Sequence, residues 1–536
     1  MSKGHSFLRG AAILGMAGVL VKILGAIYRI PLSNIIKSEG LGYYQTAYPF
    51  YVLLFTLSTA GFPVAIAKLV SEKRAQGDYA GAHKIFKTAL VGLVVLGALT
   101  ASILAFSANA IVNYLGNVNA YYALIALVPA LFFVPIMAAF RGFFQGSQSM
   151  LPTALSQITE QLFRVITGLG LTYLLLDKGI PIAAGGASFG GSMGALMGLA
   201  VVAYIYMKRR SSIMDEIAQS TIVREYPGKQ IIKDLLLIAV PITIGATIAP
   251  IMDTIDAALV LRRLQSINYT AAEANALYGE LKGMAQTLVN LPQVFSIAIS
   301  MSLVPAISSA SARNSEKETS NLISSGIRMT LLIGLPSAIG LFVLSTPIVA
   351  LLYYNNPPEA IASVGDILAY LSLGVIFLTM VQALTAILQG LGKPFIPVRN
   401  LFIGALAKIV LTYVLTGIPA INVKGAAIST VVAYAIASSL NLWYVITVAK
   451  AKLNLGAILL KPLISAVGMG IIARASYVVL AGPIGGRPAT LVAVLLGVVA
   501  YGVLLLVTGT LTDEDLDLMP KGDKFRKIVK RFDKWS

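Results

Sequence analysis

The sequence predicts an all-α polytopic membrane protein of about 14 transmembrane helices. Three observations predict it. The 536 residues are 57% hydrophobic and only 12% charged, with a mean hydropathy of +0.81, whereas a soluble chain carries about 25% charged residues. Apolar stretches long enough to cross about 30 Å of hydrocarbon recur along the whole chain. A single spacing also repeats. "YPFYVLLFTLSTAGFPVAIAKL" (48–69) resembles "LPQVFSIAISMSLVPAISSA" (291–310), pairing Pro49 with Pro292 and Pro63 with Pro305 at offsets of 243 and 242. Gln145-Gly146 matches Gln389-Gly390 at 244, "LTYLL" (171–175) matches "LTYVL" (411–415) at 240, and Gly186-Ala187 matches Gly425-Ala426 at 239.

The spans read in order as 7–35, 43–70, 85–112, 120–144, 151–176, 181–207, 231–261, 277–309, 322–353, 361–389, 395–416, 420–449, 457–480 and 489–510. The first is too long for a signal-peptide core and lacks a small-residue cleavage pattern, so it reads as a retained helix. Inner loops and ends hold 28 Lys and Arg, outer loops only seven (Lys37, Lys178, Arg262, Arg263, Lys282, Lys424, Arg487). That bias places both termini in the cytoplasm. The repeat divides the chain into a first six-helix bundle (1–210), a cytoplasmic linker (211–230), a second bundle (231–450), two further helices (451–511) and a tail (512–536). Six is even, so the copies are parallel repeats about an axis along the membrane normal. In the tail, Phe525, Ile528, Val529 and Phe532 alternate with Lys524, Lys527, Lys530, Arg531 and Lys534. This fits a basic amphipathic helix on the anionic inner leaflet or a solvated charged tail.

Composition excludes several chemistries. The net charge of +18 is spread between apolar runs rather than gathered in a patch, so nucleic acid is not an expected partner. With no Cys and only His5 and His83, neither a disulfide framework nor a Cys- or His-based metal centre is expected. No phosphate-cradling G-x-x-x-x-G-K-[ST] loop and no H-E-x-x-H occurs, and loops are too short for a catalytic domain. The expectation is a transporter, not an enzyme.

The stretch "QSMLPTALSQITEQLFRVITGLGLTYLLL" (148–176) carries the candidate chemistry. Gln157, Glu160, Gln161 and Arg164 fall at i, i+3, i+4 and i+7 and so share one helix face. A charge at the bilayer centre costs about 2.5–3.5 kcal/mol on insertion scales, so this face meets another helix or water, not lipid. Two readings fit: a Glu160–Arg164 pair that locks the bundle, or a water-filled cavity. Lys22 and Arg29 share a face of the first helix and Gln45 lies early in the second. Lys22, Arg29, Lys68 and Arg164 thus stand against Glu160 alone in the first bundle's spans, and such a surplus attracts an anion. Lys68 and Arg29 also have snorkelling readings. In the second bundle, "APIMDTIDAALVLRR" places Asp253 and Asp256 in the seventh span, with Lys408 in the eleventh. These acids read either as cation or proton sites or as partners of Lys408, Arg262 or Arg263.

"RGFFQGSQSMLPTALSQITEQLFRV", with "SEGLGYYQ", "GFPVAIAKLVSE" and "RAQGDY", closely resembles the SpoVB-like polysaccharide exporters, relatives of the MurJ-type lipid II flippases in the superfamily of the multidrug extruders. The resemblance implies two six-helix lobes in a V around a central cavity and alternating access. It also implies export of an undecaprenyl-pyrophosphate-linked oligosaccharide from the bacterial cytoplasmic membrane, and a lipid-tail groove formed partly by the last two helices. Arg29 matches a first-helix arginine implicated in substrate binding, and Lys282 is the cation nearest to the position of an eighth-helix arginine, which is Thr287 here. The acid expected early in the second helix falls at Tyr44 or Gln45. A sodium site of some members is matched by Asp253 or Asp256 and by Asn400, with Gly404 where a second acid is expected. The coupling ion, Na+ or H+, therefore stays open, as does the identity of the lipid-linked sugar. Membrane lipids and other cell-envelope synthesis proteins are the further partners implied.

The expected substrate residues are Arg29, Arg164, Lys22, Glu160, Gln157, Gln45, Lys282 and Lys408, and the expected coupling residues are Asp253, Asp256 and Asn400. The rivals are a cation-coupled drug antiporter on the same fold, a membrane glycosyltransferase or polymerase, and a non-transporting scaffold for envelope synthesis.

Overall fold

The structure is a computed structural model that describes residues 3–220, 226–313, 315–449 and 456–510; the predicted amphipathic tail lies outside the described residues. It is all-helical. Twelve stretches of the described residues are long and apolar enough to cross a membrane. This is a multi-pass membrane protein.

Two places separate these twelve stretches from the fourteen predicted spans. The first stretch, 13–75, runs 63 residues, far beyond the roughly 20 that one crossing needs. Its first helix, α1 (Lys3–Thr59), turns at Lys37, whose φ of 58° is not helical. The Tyr28 and Tyr44 rings are 6.5 Å apart, although 16 residues of straight helix would separate them by about 24 Å. The chain therefore doubles back at Lys37, and the predicted spans 7–35 and 43–70 are the arms of one hairpin. The other place is α6 (Leu151–Leu174), absent from the twelve because its polar stripe lowers its hydropathy.

The described residues form two compact units that divide between Gly279 and Glu280. In the first, α2 (Phe62–Ala75), α3 (Tyr79–Tyr114), α4 (Tyr121–Ile125), α5 (Val128–Gly146), α6 and α7 (Ile180–Lys208) follow the α1 hairpin, and α6 packs along α7. The unit continues through α8 (Arg210–Ala218), α9 (Gly228–Gln265) and α10 (Ala271–Tyr278). The repeat groups α9 with the second bundle, yet α9 packs on α1, α2 and α3, and Gly61 N donates to its Thr243 Oγ1 at 3.1 Å. Packing thus divides the chain at 279/280, whereas the sequence repeat divides it at the linker.

The described part of that linker is tied to the α2–α3 turn. Arg74 Nη1 meets Glu216 of α8 at 2.7 Å, Lys73 pairs with buried Asp78 at 3.1 Å, and Ser220 Oγ accepts from Ala80 N. Asp78 also caps α3 by accepting from Gly81 N at 2.7 Å, the usual stabilisation of an orphan helix-start amide. Lys73 lies over the Tyr226 ring, and Tyr226 Oη donates to Asp234 at 2.6 Å.

The second unit begins in a π-helical turn, Gly279–Ala285, followed by α11 (Gln286–Val289), α12 (Gln293–Ala312), α13 (Glu316–Val343), α14 (Ser345–Leu352) and α15 (Pro358–Gly390). Next come α16 (Phe395–Thr416), α17 (Lys424–Ala449), α18 (Lys461–Ile484) and α19 (Gly486–Val507). Its apolar core gathers Leu303, Ile327, Leu331, Leu384 and Ile387 from α12, α13 and α15; α18 packs on α13.

One contact recurs in the two units. A Cβ on Gly186 would stand 3.0 Å from the carbonyl carbon of Leu171, and one on Gly425 would stand 2.6 Å from that of Leu415. The glycines differ by 239 residues, the offset found in the sequence; the leucines differ by 244, one helical turn more than the LTY match gives. At Gly425 only glycine lets the two helices of the hairpin approach this closely, and at Gly186 a Cβ would force the neighbouring backbone to give by a few tenths of an ångström.

Candidate functional site

The polar face of α6 is built from both sides. Ser156 and Glu160 lie one turn apart and face α5, where Arg141 projects between them. Arg141 donates to Ser156 Oγ from Nε and Nη2 at 3.1 and 2.8 Å, and Nη2 also meets Glu160 Oε2 at 2.9 Å. Ser156 Oγ in turn donates to the Gly198 carbonyl at 3.0 Å. On the far side of the acid, Arg164 Nη2 stands 3.5 Å from Oε1. The sequence pairs Glu160 with Arg164; the structure gives its closer contact to Arg141. The R-G-x-x-Q-G motif contains Arg141, but nothing in the spacing joins residues 19 apart on different helices.

These side chains are half-buried: Arg141, Glu160 and Arg164 keep 15%, 16% and 17% exposure. That is open enough for water to reach them and closed enough to strengthen their fields. Helix α7 makes the room. A Cβ on Gly194 would sit 2.4 Å from the Glu160 carbonyl oxygen, so only a glycine there lets α7 lie against α6.

Arg164 projects toward the α1 hairpin. Tyr48, Tyr51 and Tyr44 lie within electrostatic range of its guanidinium, whose Nε is buried with no hydrogen-bond partner among the described residues. Successive rings of this ladder, Tyr28–Tyr44–Tyr48–Tyr51–Phe55, are spaced 5.6 to 6.5 Å. Arg29 lies at its other end, within range of Tyr28 and Tyr44, and Tyr28 Oη fixes α1 to α7 by donating to the Ala187 carbonyl at 2.9 Å. The structure therefore brings Arg29, Glu160 and Arg164 to one tyrosine ladder. Gln45 is buried and Gln157 half-buried; Gln161 is buried, with its amide near Gly25 of α1. Lys22 is exposed. Lys68 stands 3.9 Å from Glu72 with both side chains more than half exposed.

The remaining candidates stand on other elements. Asp253 is exposed and Asp256 buried, both on α9 of the first unit; Lys282, Lys408 and Asn400 belong to the second. Lys282, counted with the outer loops, lies in the π-helical turn and is half-buried, as is Lys408 on α16. Asn400 is fully buried. Its Nδ2 donates to Asn441 Oδ1 at 2.8 Å, and its Oδ1 accepts from Arg399 Nε and Nη2 at 3.2 and 3.1 Å. The oxygen expected to face a sodium ion is occupied by a guanidinium. The sequence reading also passed over Glu280, a buried acid in the π-helical turn that accepts from Ser363 Oγ of α15.

A separate apolar cavity of about 590 Å³ lies within the second unit. Phe295, Pro336, Gly340, Met469, Val498 and Tyr501 line it, from α12, α13, α18 and α19.

Residues 7–311, more than half of the chain, match the family model described as polysaccharide biosynthesis protein. The chain belongs to this polysaccharide biosynthesis protein family. A second model, MatE, matches residues 282–414. Among the family's relatives from Bacillus subtilis, the stage V sporulation protein B and the lipid II flippase MurJ are each 30% identical. They match over 430 and 440 residues, which is 80% of this chain in both cases and 81% and 80% of theirs. The uncharacterized membrane protein YabM is 30% identical over 99% of this chain and 98% of its own. A solved structure of lipid II flippase MurJ, in an inward closed conformation, superposes with a TM-score of 0.70 at 17% identity, covering 92% of this chain and 98% of that one. A multidrug resistance MATE family transporter gives 0.64 at 14%, covering 84% and 99%. The family thus shares its fold with both kinds of transporter.

Proposed function

We propose that the protein is a flippase rather than an enzyme: it carries an undecaprenyl-pyrophosphate-linked oligosaccharide, a peptidoglycan or spore-cortex precursor or a similar unit, from the inner to the outer leaflet by alternating access. In this reading the protein sits in the bacterial cytoplasmic membrane with both termini inside, and fourteen spans form two lobes in a V. One observation carries the reading: Arg141 and Arg164 share Glu160, and Arg164 faces a tyrosine ladder that has Arg29 at its other end. Stranding a sugar hydroxyl in hydrocarbon costs several kcal/mol, and a pyrophosphate costs more. Half-buried guanidiniums supply charge-assisted hydrogen bonds to phosphate oxygens, and tyrosine faces offer amphipathic surface to a sugar. Arg29, Arg164 and Lys22 would take the pyrophosphate, and Gln45 and Gln157 would meet the sugars. The apolar cavity of the second unit fits part of a lipid tail. The names of two relatives, a lipid II flippase and a sporulation protein, support the same reading.

Coupling is assigned to a cation or to the membrane potential acting on Asp253 and Asp256. Since Arg399 already donates to the oxygen of Asn400, that oxygen is poorly placed to hold Na+, and the coupling ion, Na+ or H+, is left to Asp253 and Asp256. The MatE match over 282–414 favours a second reading, cation-coupled drug extrusion, but an organic cation would meet like charge at Arg29 and Arg164.

The test is complementation in a bacterium depleted of its own lipid II flippase. The wild-type gene should restore lipid-linked precursor to the outer leaflet, and Arg29→Ala and Arg164→Ala at equal expression should not. Rescue by both variants would remove the site assignment; failure of the wild type, with drug resistance gained instead, would select the second reading.

A further inference from the structure

Glu160 has one carboxylate to share between two arginines, and the sharing is unequal. Arg141 Nη2 approaches to 2.9 Å while its Nε and Nη2 also engage Ser156 Oγ. Arg164 Nη2 stays 3.5 Å away, outside the usual 2.7–3.2 Å of a nitrogen–oxygen hydrogen bond. Arg141 is held in this position. The single Ser156 hydroxyl proton goes to the Gly198 carbonyl, so the lone pairs of that oxygen remain for the guanidinium. Ser156 thus fixes the arginine, and the arginine holds the acid.

We propose that Arg141 is a positioning residue: by holding Glu160 it keeps the Arg164 guanidinium available for the diphosphate of the substrate. The inference rests on the reading of this site as an anion site. Without Arg141, Glu160 sits one turn from Arg164 on the same helix, in the geometry that favours an acid–base pair. In a half-buried site the released carboxylate would close on Arg164, and an anionic headgroup would compete with a tethered anion for the same donors. Arg141 therefore acts on binding through Glu160, without touching the ligand. A simple staple between α5 and α6 makes a different prediction, because removing both partners would then be at least as harmful as removing one.

The full-length protein in nanodiscs, with farnesyl pyrophosphate as probe and farnesol as its uncharged control, separates these cases. Arg141→Gln should weaken pyrophosphate binding about tenfold, Arg141→Lys, which still neutralises the acid, by no more than about threefold. Glu160→Gln should bind at least as well as wild type. The decisive variant is R141Q/E160Q, which should return to within about twofold of wild type. A double variant no better than R141Q, or an E160Q weakened as much as R141Q, overturns the proposal. Should R141Q not yield monodisperse protein, E160Q and R141K decide alone: E160Q should bind at least as well as wild type, and an E160Q weakened more than R141K overturns the proposal. If wild type binds farnesyl pyrophosphate no better than farnesol, the anion-site reading itself falls, whatever Arg141 does.

Discussion

The hairpins α6–α7 and α16–α17 occupy equivalent places in the sequence repeat, yet where the first sets Glu160 between Arg141 and Arg164, the second sets Arg399 on neutral Asn400. They share the glycine-on-leucine contact that sets their spacing. They differ one to three turns away. Glu160, at the offset of 244, corresponds to Gly404, and Gly194, at 239, to Ala433. In the first hairpin the glycine is on α7, and its Cβ would strike the Glu160 carbonyl at 2.4 Å; in the second it is on α16, and its Cβ would strike the Ala433 carbonyl at 2.5 Å. The close approach is conserved between the copies, but the helix that gives up its side chain has changed. A helix that supplies the glycine cannot also supply the acid. Ser156 corresponds to Asn400 at the same offset, and both oxygens accept from an arginine. Without an acid one turn on, that contact in α16 ends in a neutral Asn400–Asn441 pair.

The strongest way to break this comparison is to reverse the glycine. Gly194→Val places branched carbon against a carbonyl that cannot yield, and Gly404→Glu does the same in the second hairpin. Overpacking of this kind costs about 1–3 kcal/mol or more, so both should give little monodisperse protein in size-exclusion chromatography. Normal yield of Gly404→Glu would refute the account of why α16 carries no acid. Next in size, Arg164→Ala should lower leaflet transfer at least about tenfold with its melting temperature nearly unchanged, while Lys408→Ala at the corresponding position should lower it far less. Equal losses would make the second hairpin a partner in binding. Asn400→Ala should do the opposite of Arg164→Ala. It strands Asn441, which costs about 1–3 kcal/mol and lowers the melting temperature, and any Na+ dependence of transport should persist. The smallest effect belongs to Lys68→Ala. Its pair with Glu72 is long and solvated, so stability should change by less than about 0.5 kcal/mol.

Much of this was legible in the residues. Length and hydropathy gave the helices, and Lys37 read as a turn because it is polar between two apolar runs. The stripe of Gln157, Glu160, Gln161 and Arg164 was visible because helical spacing is a local property. Arg141 was not, because its tie to Glu160 depends on how two helices are laid together. Asn400 and Arg399 are neighbours whose side chains leave the helix about 100° apart, and their contact follows from a side chain curling back, which no pattern announces. Glu280 escaped notice because an isolated acid at the head of a span looks like a loop residue. The place of α9 was misleading for another reason: the repeat records ancestry of sequence, while packing answers to which apolar faces meet.

The knot around the α2–α3 turn has a consequence for solution conditions. Tyr226 donates to Asp234, and burial, reinforced by that acid, holds its phenol well above the ordinary tyrosine value. The proton therefore stays on as the medium turns alkaline, and this strand of the knot will not come undone with pH. Lys73–Asp78 is shielded from counterions, its acid almost fully enclosed; Arg74–Glu216, with exposures of 24% and 40%, is not. Salt should therefore fray the α8 attachment first, loosening this bridge while the foot of α9 stays moored.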